Sequence, residues 1–287
     1  MTIEAAYKAL SKKLSALYEP DEAGNISEWV IEAVTGKRQQ QRLLSNDDLL
    51  SEDQQVMLET YTLELLEYRP VQYVLGISYF YNLKLFVDEN VLIPRPETEE
   101  LVHWALKSGL PAESAIVDLG TGSGCIALAL KRNLPQAKLI AADLSEQSLA
   151  VAQKNAADLQ LDVQFVQMDM LSPDYPEGWP MFDVIISNPP YITLEEQATI
   201  LPHVLNFEPH QALFVTNNDP LQFYKAIEGF AAAKLKPSGM LFLELHRDFA
   251  EATRDYYTAM GWVAELKQDM QENDRMLRCY RPAAGQA

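Results

Sequence analysis

Ser187-Asn188-Pro189-Pro190-Tyr191-Ile192 is the stretch best equipped for chemistry. It follows Phe182-Asp183-Val184-Ile185-Ile186, an apolar run that reads as a buried strand. Prolines cannot continue a sheet ladder, and the residue before a proline is driven to extended backbone. Asn188 is therefore expected on a stiff loop at a strand's carboxyl end, where open α/β sheets place their ligands. Its side chain offers one carbonyl acceptor and one NH2 donor. The backbone carbonyls of Asn188 and Pro189 add acceptors, and Tyr191 adds an aromatic face. Such a loop suits a planar amide or the edge of a base.

A second constellation is Asp118-Leu119-Gly120-Thr121-Gly122-Ser123-Gly124, between a strand and a helix. Glycines let the backbone turn tightly and let a ligand approach without meeting a Cβ. The helix behind the loop aims its amino end at the ligand. Asp143 closes the next strand, about twenty residues on, where a carboxylate binds both ribose hydroxyls; the bland alternative is a helix cap. A nucleoside site follows. Dinucleotide loops run G-x-G-x-x-G, whereas here Cys125 stands at the last glycine position. That difference, and Asp118 ahead of the loop, favour S-adenosylmethionine over NAD. Its ammonium is expected on Asp118 or on loop carbonyls, unless Asp118 only stabilises the loop. Asp169, with Met170 beside it, ends a third strand and is placed to accept from the adenine amino group, the alternative being an ordinary strand end.

The elements that position these residues are legible in outline. From about residue 98 the chain alternates strand and helix, the mark of a βαβ sheet. Strands are expected at 115–119, 138–142, 163–167, 182–187 and 240–245, and two closing strands at 262–266 and 276–280. Helices are expected at 125–134, 146–158, 221–235 and 250–260. Residues 1–75 read as a small helical bundle, with Gly24 and Asn25 as a break. Caps are expected at Ser27 and Ser45, and at Ser51 with Gln54 three residues on. This bundle carries no catalytic constellation; it either recognises the substrate or covers hydrophobic surface. Residues 76–97 read as a connecting β-hairpin turning at Asp88-Glu89-Asn90, with Thr98 capping the helix that follows. The domains expected are thus 1–75, 76–97 and 98–287.

Composition narrows the partners. The chain has 287 residues, 48% of them hydrophobic, and a net charge of -18. Such an acidic balance argues against a protein that grips duplex nucleic acid, which needs clustered Lys and Arg. It favours a basic protein partner, or serves solubility alone. Cys125 and Cys279 are far apart, and neither they nor the four histidines show metal-ligand spacing, so no metal site is expected. The amino terminus lacks the pattern of a signal peptide, and no apolar stretch reaches spanning length. No membrane association is expected, and the cytoplasm is the expected location.

The glycine loop, Asp143 and the Asn-Pro-Pro-Tyr run together resemble class I S-adenosylmethionine methyltransferases that act on amino nitrogens. Further motifs narrow this. Arg69-Pro70-Val71-Gln72-Tyr73-Val74-Leu75-Gly76, Phe80-Tyr81 and Val91 through Glu99 resemble the HemK/PrmC protein-glutamine N5-methyltransferases. So do Glu208-Pro209 with Ala212-Leu213, and Asp274-Arg275. The resemblance spans about 60–281. It implies a Rossmann-like, mostly parallel sheet behind a helical amino-terminal bundle. It also implies S-adenosylmethionine as methyl donor and, as acceptor, the glutamine in the Gly-Gly-Gln loop of class 1 peptide chain release factors. Carried over by position, Gly120 to Gly124, Asp143, Asp169, Met170 and Asn188 hold the cofactor. Asn188, Pro189, Pro190 and Tyr191 hold the glutamine, with Asn188, Pro189 and Tyr191 catalytic. A ribosomal-protein glutamine, a nucleic-acid base and a non-enzymatic sensor are the alternatives. The chain departs from the family at Glu244-Leu245-His246, where Glu, one residue, then Gly is usual. A histidine in a glycine slot bears on the local loop and the rim of the substrate pocket.

Overall fold

The computed structural model describes residues 1–172, 174–216 and 218–282; residues 173, 217 and 283–287 of the expected 98–287 domain lie outside the described residues. The chain divides into two compact units, Met1–Ile77 with Leu201–Phe207, and Ser78–Ile200 with the remainder from Glu208.

The first unit holds α1 (Ile3–Leu14), α2 (Pro20–Thr35), α3 (Gln39–Leu43), α4 (Glu52–Leu66) and α5 (Val71–Leu75). Its core gathers Leu10 and Leu14 of α1, four residues apart on one helix face, Val30 and Ile31 of α2, and Leu65 of α4. Ser51 and Gln54 form the expected capping box of α4, with N–H to side-chain distances of 3.2 and 2.9 Å. Three expectations fail. Gly24 and Asn25 do not interrupt a helix but lie inside α2, and Ser27, also inside it, is no cap and donates its hydroxyl to the Ala23 carbonyl at 2.7 Å. Packing of Ala23, Ile26, Val30 and Ile31 outweighs the propensity cost of one glycine. Ser45 starts no helix and sits in a turn.

The second unit opens with β1 (Ser78–Phe80) and β2 (Leu83–Leu85), an antiparallel hairpin. It turns at Tyr81 and Asn82, whose φ angles are 45° and 63°, not at Asp88–Asn90. Two-residue hairpin turns require positive φ, which Asn tolerates; the polar Asp88-Glu89-Asn90 instead begins a loop that buries Val91 and Ile93 without a strand. The chain continues as α6 (Pro96–Lys107), β3 (Ala115–Leu119), α7 (Cys125–Asn133), β4 (Lys138–Asp143), α8 (Glu146–Leu159), β5 (Gln164–Gln167), β6 (Phe182–Ser187) and β7 (Ile192–Thr193). After α9 (Pro202–Phe207), which belongs to the first unit, come α10 (His210–Leu213), β8 (Phe214–Val215), α11 (Gln222–Lys234), β9 (Leu235–Glu244), α12 (Ala250–Ala259), β10 (Val263–Gln268) and β11 (Asp274–Tyr280). Strand β9 starts five residues before the expected Met240, because its pairing with β6 runs through an irregularity that accommodates Pro237-Ser238-Gly239.

The seven-stranded sheet has the order β10-β11-β9-β6-β3-β4-β5, parallel from β5 to β9 and antiparallel at the two closing strands. Both faces are covered, so strand neighbours part company: Ile116, Val184 and Phe242 join one core, Val117, Ile185 and Leu241 the other. This is the expected Rossmann-like α/β sheet. The chain runs outward from β3 through β4 to β5, then returns to the opposite side of β3 as β6. That reversal opens a crevice at the carboxyl ends of β3, β4 and β6. Among the described residues, no helix is long and apolar enough to cross a membrane.

Candidate active site

The glycine loop hangs from β4. The N–H groups of Gly120 and Thr121 both donate to the Ala142 carbonyl, at 2.8 and 2.9 Å. Gly122 N–H donates to Asp143 Oδ2 at 2.8 Å, while Asp143 Oδ1 accepts from Ser145 N–H at 3.0 Å. Gly120, Gly122 and Gly124 all have positive φ, at 74°, 54° and 82°. At Gly124 the need is doubled, since a Cβ would meet Ala152 Cβ and Leu128 Cδ1 at 3.1 Å; the missing side chain lets the start of α7 press onto α8. Burial raises the Asp143 carboxyl, opposed by the bonds from Ser145 and Gly122.

Asp118 is fully buried beneath this loop. Its Oδ2 accepts from the Thr121 hydroxyl at 2.6 Å and from Ala127 N–H at 3.2 Å. Its Oδ1 has no partner among the described residues, nor does the hydroxyl of buried Ser123. Asp118 thus braces the loop from below, and of the two groups expected to receive an ammonium, only the loop itself borders the cavity. Burial pushes the Asp118 carboxyl up to about 7, against the hydrogen bonds from Thr121 and Ala127. A native pKa above the unfolded value makes the folded chain hold this proton more tightly. The associated stability is complete below about pH 4 and is lost as pH rises toward 7, at no more than ~1.4 kcal/mol per pH unit. Asp118→Asn is expected to flatten that loss. Urea denaturation at about pH 4 and at about pH 7 measures the two slopes, and identical slopes in variant and parent would rule the effect out.

A cavity of about 370 Å³ opens above the loop. Of the residues expected to bind ligand, Gly120, Gly122, Asp143, Asp169, Met170, Asn188 and Pro190 line it. Thr121, Ser123, Gly124, Pro189 and Tyr191 do not. Thr121 and Ser123 are turned into the protein, and Gly124 serves the packing of α7. Asp169 is exposed and accepts from Leu171 N–H at 2.9 Å. The Met170 methyl lies 3.1 Å from where a Gly120 Cβ would stand.

Two walls of this cavity had no expected role. One is Glu89 to Leu92, the other Pro209 to Ala212. Both stretches overlap motifs that carry the family resemblance, through Val91 and Leu92 and through Pro209 and Ala212, but nothing local in the sequence marks them as pocket. Buried Asn155 on α8 anchors the first wall: it accepts from Phe86 N–H at 2.7 Å and donates to the carbonyls of Phe86 and Ser123, each at 2.9 Å. Ser148 donates to the Asn90 carbonyl at 2.9 Å. Buried Glu208 joins the walls, accepting from Ile93 N–H at 3.2 Å and pairing with Arg95.

The Asn-Pro-Pro-Tyr loop leaves β6 where Ser187 donates to the Leu119 carbonyl at 2.6 Å. In the register of β6 and β9, Ser187 pairs with Leu243, so the next residue along, Asn188, lies beside Glu244. Helix α6 packs against β9 and brings Thr98 to the same point. Thr98 does not cap this helix: Arg95 is the N-cap and Pro96 the first helical residue. Instead Asn188 Nδ2 donates to Thr98 Oγ1 at 3.1 Å, and Thr98 Oγ1 donates to Glu244 Oε2 at 2.6 Å. The Tyr191 hydroxyl donates to Glu244 Oε1 at 3.1 Å. Glu244 is 1% exposed, and burial raises its carboxyl although Thr98, Tyr191 and Arg275 oppose the rise. Burial and the neighbouring Glu244 carry the Tyr191 hydroxyl well above its ordinary value.

A methyltransferase small domain matches residues 100–213, and a PrmC N-terminal domain matches residues 5–76. A release factor glutamine methyltransferase from Flavobacterium psychrophilum is 39% identical over 270 residues, 92% of this chain and 94% of that protein. The chain belongs to the release factor glutamine methyltransferase family. A second member, from Bacteroides thetaiotaomicron, is 38% identical over 84% of this chain and 86% of that protein. Among solved structures, a methyltransferase from Pyrococcus furiosus shares the fold, with a TM-score of 0.52 and 16% identity over 80% of this chain and 99% of that one.

His246 stands where the family resemblance leads one to expect glycine. Its backbone, at φ -67° and ψ 127°, is ordinary extended conformation, so the position makes no demand for glycine. Its Nδ1 accepts from Asp248 N–H at 3.2 Å, which leaves the ring proton on Nε2, 2.9 Å from Glu196 Oε1. The ring also stands edge-on to Tyr191, centroids 5.8 Å apart. Ligand atoms of Glu196, His246 and Asp248 lie within 4.8 Å of one another, a convergence invisible in sequence, but both imidazole nitrogens already have protein partners. We therefore treat the group as a latch on the segment after Tyr191 and assign no ion to it. His246→Gly is expected to lower the stability of this member by about 2 kcal/mol, the cost of a lost charged hydrogen bond and a buried ring contact. Chemical denaturation measures it, and a difference below about 0.5 kcal/mol would remove the latch.

Proposed function

We propose that the protein transfers a methyl group from S-adenosylmethionine to the side-chain amide nitrogen (N5) of the glutamine in the Gly-Gly-Gln loop of class 1 peptide chain release factors, in the cytoplasm. What carries the proposal is Asn188, an amide at the wall of a nucleoside-sized cavity, in a chain that matches one release factor glutamine methyltransferase over 94% of its length.

The residues fit S-adenosylmethionine. Gly122 borders the cavity, and a Cβ there would meet nothing within 4 Å, so open space faces the loop backbone. Each Asp143 oxygen accepts one backbone N–H and keeps capacity for a ribose hydroxyl. Asp169 supplies an acceptor and Met170 an apolar surface for a base. S-adenosylmethionine, when bound, supplies a methyl group activated by its sulfonium.

The rest belongs to the protein. A carboxamide nitrogen is a weak nucleophile because its lone pair is delocalised. Asn188 Oδ1, at the cavity wall, accepts one N–H of the target, and the carbonyl of Pro189, next in the chain but outside the cavity lining, accepts the other; together they fix its orientation, which supplies much of the barrier reduction. Positive charge grows on that nitrogen during transfer, so the same acceptors bind it more strongly as the reaction proceeds. No base is needed beforehand, since the proton leaves afterwards. The Tyr191 hydroxyl is committed to Glu244 and Tyr191 does not line the cavity, so its part is to support the loop that carries Asn188. The helical unit at the amino terminus serves recognition of the release factor.

The test is methyl transfer from labelled S-adenosylmethionine to purified, unmethylated release factor, beside a factor carrying Gln→Ala in its Gly-Gly-Gln loop. Transfer to the first alone, with mass spectrometry placing the methyl on that glutamine, is the expected result. Equal labelling of both would refute the acceptor.

A further inference from the structure

We propose that Thr98 is a positioning residue that decides which end of the Asn188 carboxamide faces the substrate. The inference deepens the function proposed above and rests on it for the identity of the acceptor. A hydroxyl has one proton. Thr98 gives its proton to Glu244 Oε2 at 2.6 Å, so toward Asn188 it can only accept. Asn188 must then turn its NH2 to Thr98, 3.1 Å away, and its Oδ1 is the end left for the cavity it lines. Thr98 is 2% and Glu244 1% exposed, so solvent does not compete for that proton. Glu244 is held as an acceptor on both oxygens, because the Tyr191 hydroxyl occupies Oε1. Arg275 secures the same corner: it donates to the Leu245 carbonyl at 3.1 Å, and its guanidinium is 3.5 Å from buried Asp269. A reversed Asn188 would set two acceptors face to face at Thr98 and present a donor to a substrate amide that itself donates. An asparagine alone is ambivalent in this respect; the buried hydroxyl removes the ambivalence.

The comparison is Thr98→Val, which swaps hydroxyl for methyl, against Thr98→Ser, which keeps the hydroxyl. With release factor as acceptor, T98V is expected to lose roughly 10- to 100-fold in kcat, the rate equivalent of one buried hydrogen-bond constraint. T98S should stay within about threefold of the parent, and both should bind S-adenosylmethionine as the parent does. Added to Asn188→Ala, T98V should cost nothing more, since there is no amide left to orient. A T98S loss as deep as that of T98V, or full additivity with N188A, would overturn the assignment. Side-chain 15N–1H spectra read the same bond without turnover. The Asn188 NH2 pair, identified by its absence in N188A, should exchange slowly with solvent in the parent and T98S, and quickly in T98V. Fast exchange in the parent refutes the positioning role. Slow exchange in a parent that labels no release factor refutes the acceptor and leaves Thr98 in place.

Discussion

Asn188→Ala is expected to lower kcat about 1000-fold while leaving affinity for S-adenosylmethionine within about threefold. The magnitude follows from comparable sites, where deleting one preorganised group aimed at developing charge costs 10²–10³. The asymmetry follows from geometry. The cofactor side proposed for the cavity is lined by Gly120, Gly122, Asp143, Asp169 and Met170, and the bonds that hold Asp143 to the loop do not involve the Asn188 side chain. Asn188 is fixed through Thr98 to a buried carboxylate. Alanine leaves the prolines and the Pro189 carbonyl in place but removes one of two acceptors, so the target amide gains rotational freedom. Calorimetric titration of the cofactor and single-turnover kinetics with release factor separate the two quantities. Parallel losses in both would make Asn188 chiefly a cofactor ligand.

Asp143→Ala should show the reverse profile, raising the dissociation constant for S-adenosylmethionine about 100-fold. Two hydrogen bonds from ribose hydroxyls to a carboxylate, each worth about 1.5–3 kcal/mol, are enough for that. The variant also frees Gly122 N–H and Ser145 N–H, the bonds by which the carboxylate holds the loop in shape. Asp143→Asn retains one acceptor and should fall between. Calorimetry decides, and an affinity unchanged within threefold would leave Asp143 as a loop brace alone.

Much of this site was legible because its signals are local. Strand β6 and the two prolines after it are contiguous, and so are β3 and its glycines; residue type alone places Asn188, Gly120 and Gly122 at strand ends. What was missed depends on partners remote in sequence. Thr98 looks like a cap because Ser and Thr before an apolar stripe usually are caps, and its actual partner, Glu244, lies 146 residues on. Glu208 shapes the cavity through Ile93 and Arg95, more than 110 residues away. The hairpin turn at Tyr81-Asn82 was hidden because a tyrosine at positive φ is uncommon and the acidic stretch seven residues later is the stronger turn signal. The wall at Glu89 to Leu92 followed the same error: a loop mistaken for a turn and a strand is not read as pocket.

The strand order has a consequence for how the enzyme comes into being during synthesis. Strand β6, which carries the reactive loop, pairs with β3 on one side and on the other with β9, whose first residue lies 53 positions after Phe182. Strand β9 in turn pairs with β11, the last strand among the described residues. A ribosome that has made everything through β8 has therefore released a glycine loop with its sheet support, but β6 is still an open edge. At that stage Glu244 does not exist, so neither Thr98 nor Tyr191 has its partner. Non-local pairings of this kind form late because chain closure must precede their reward. The nascent protein thus gains the framework of its glycine loop before it gains an oriented Asn188, which waits for β9 and its Glu244.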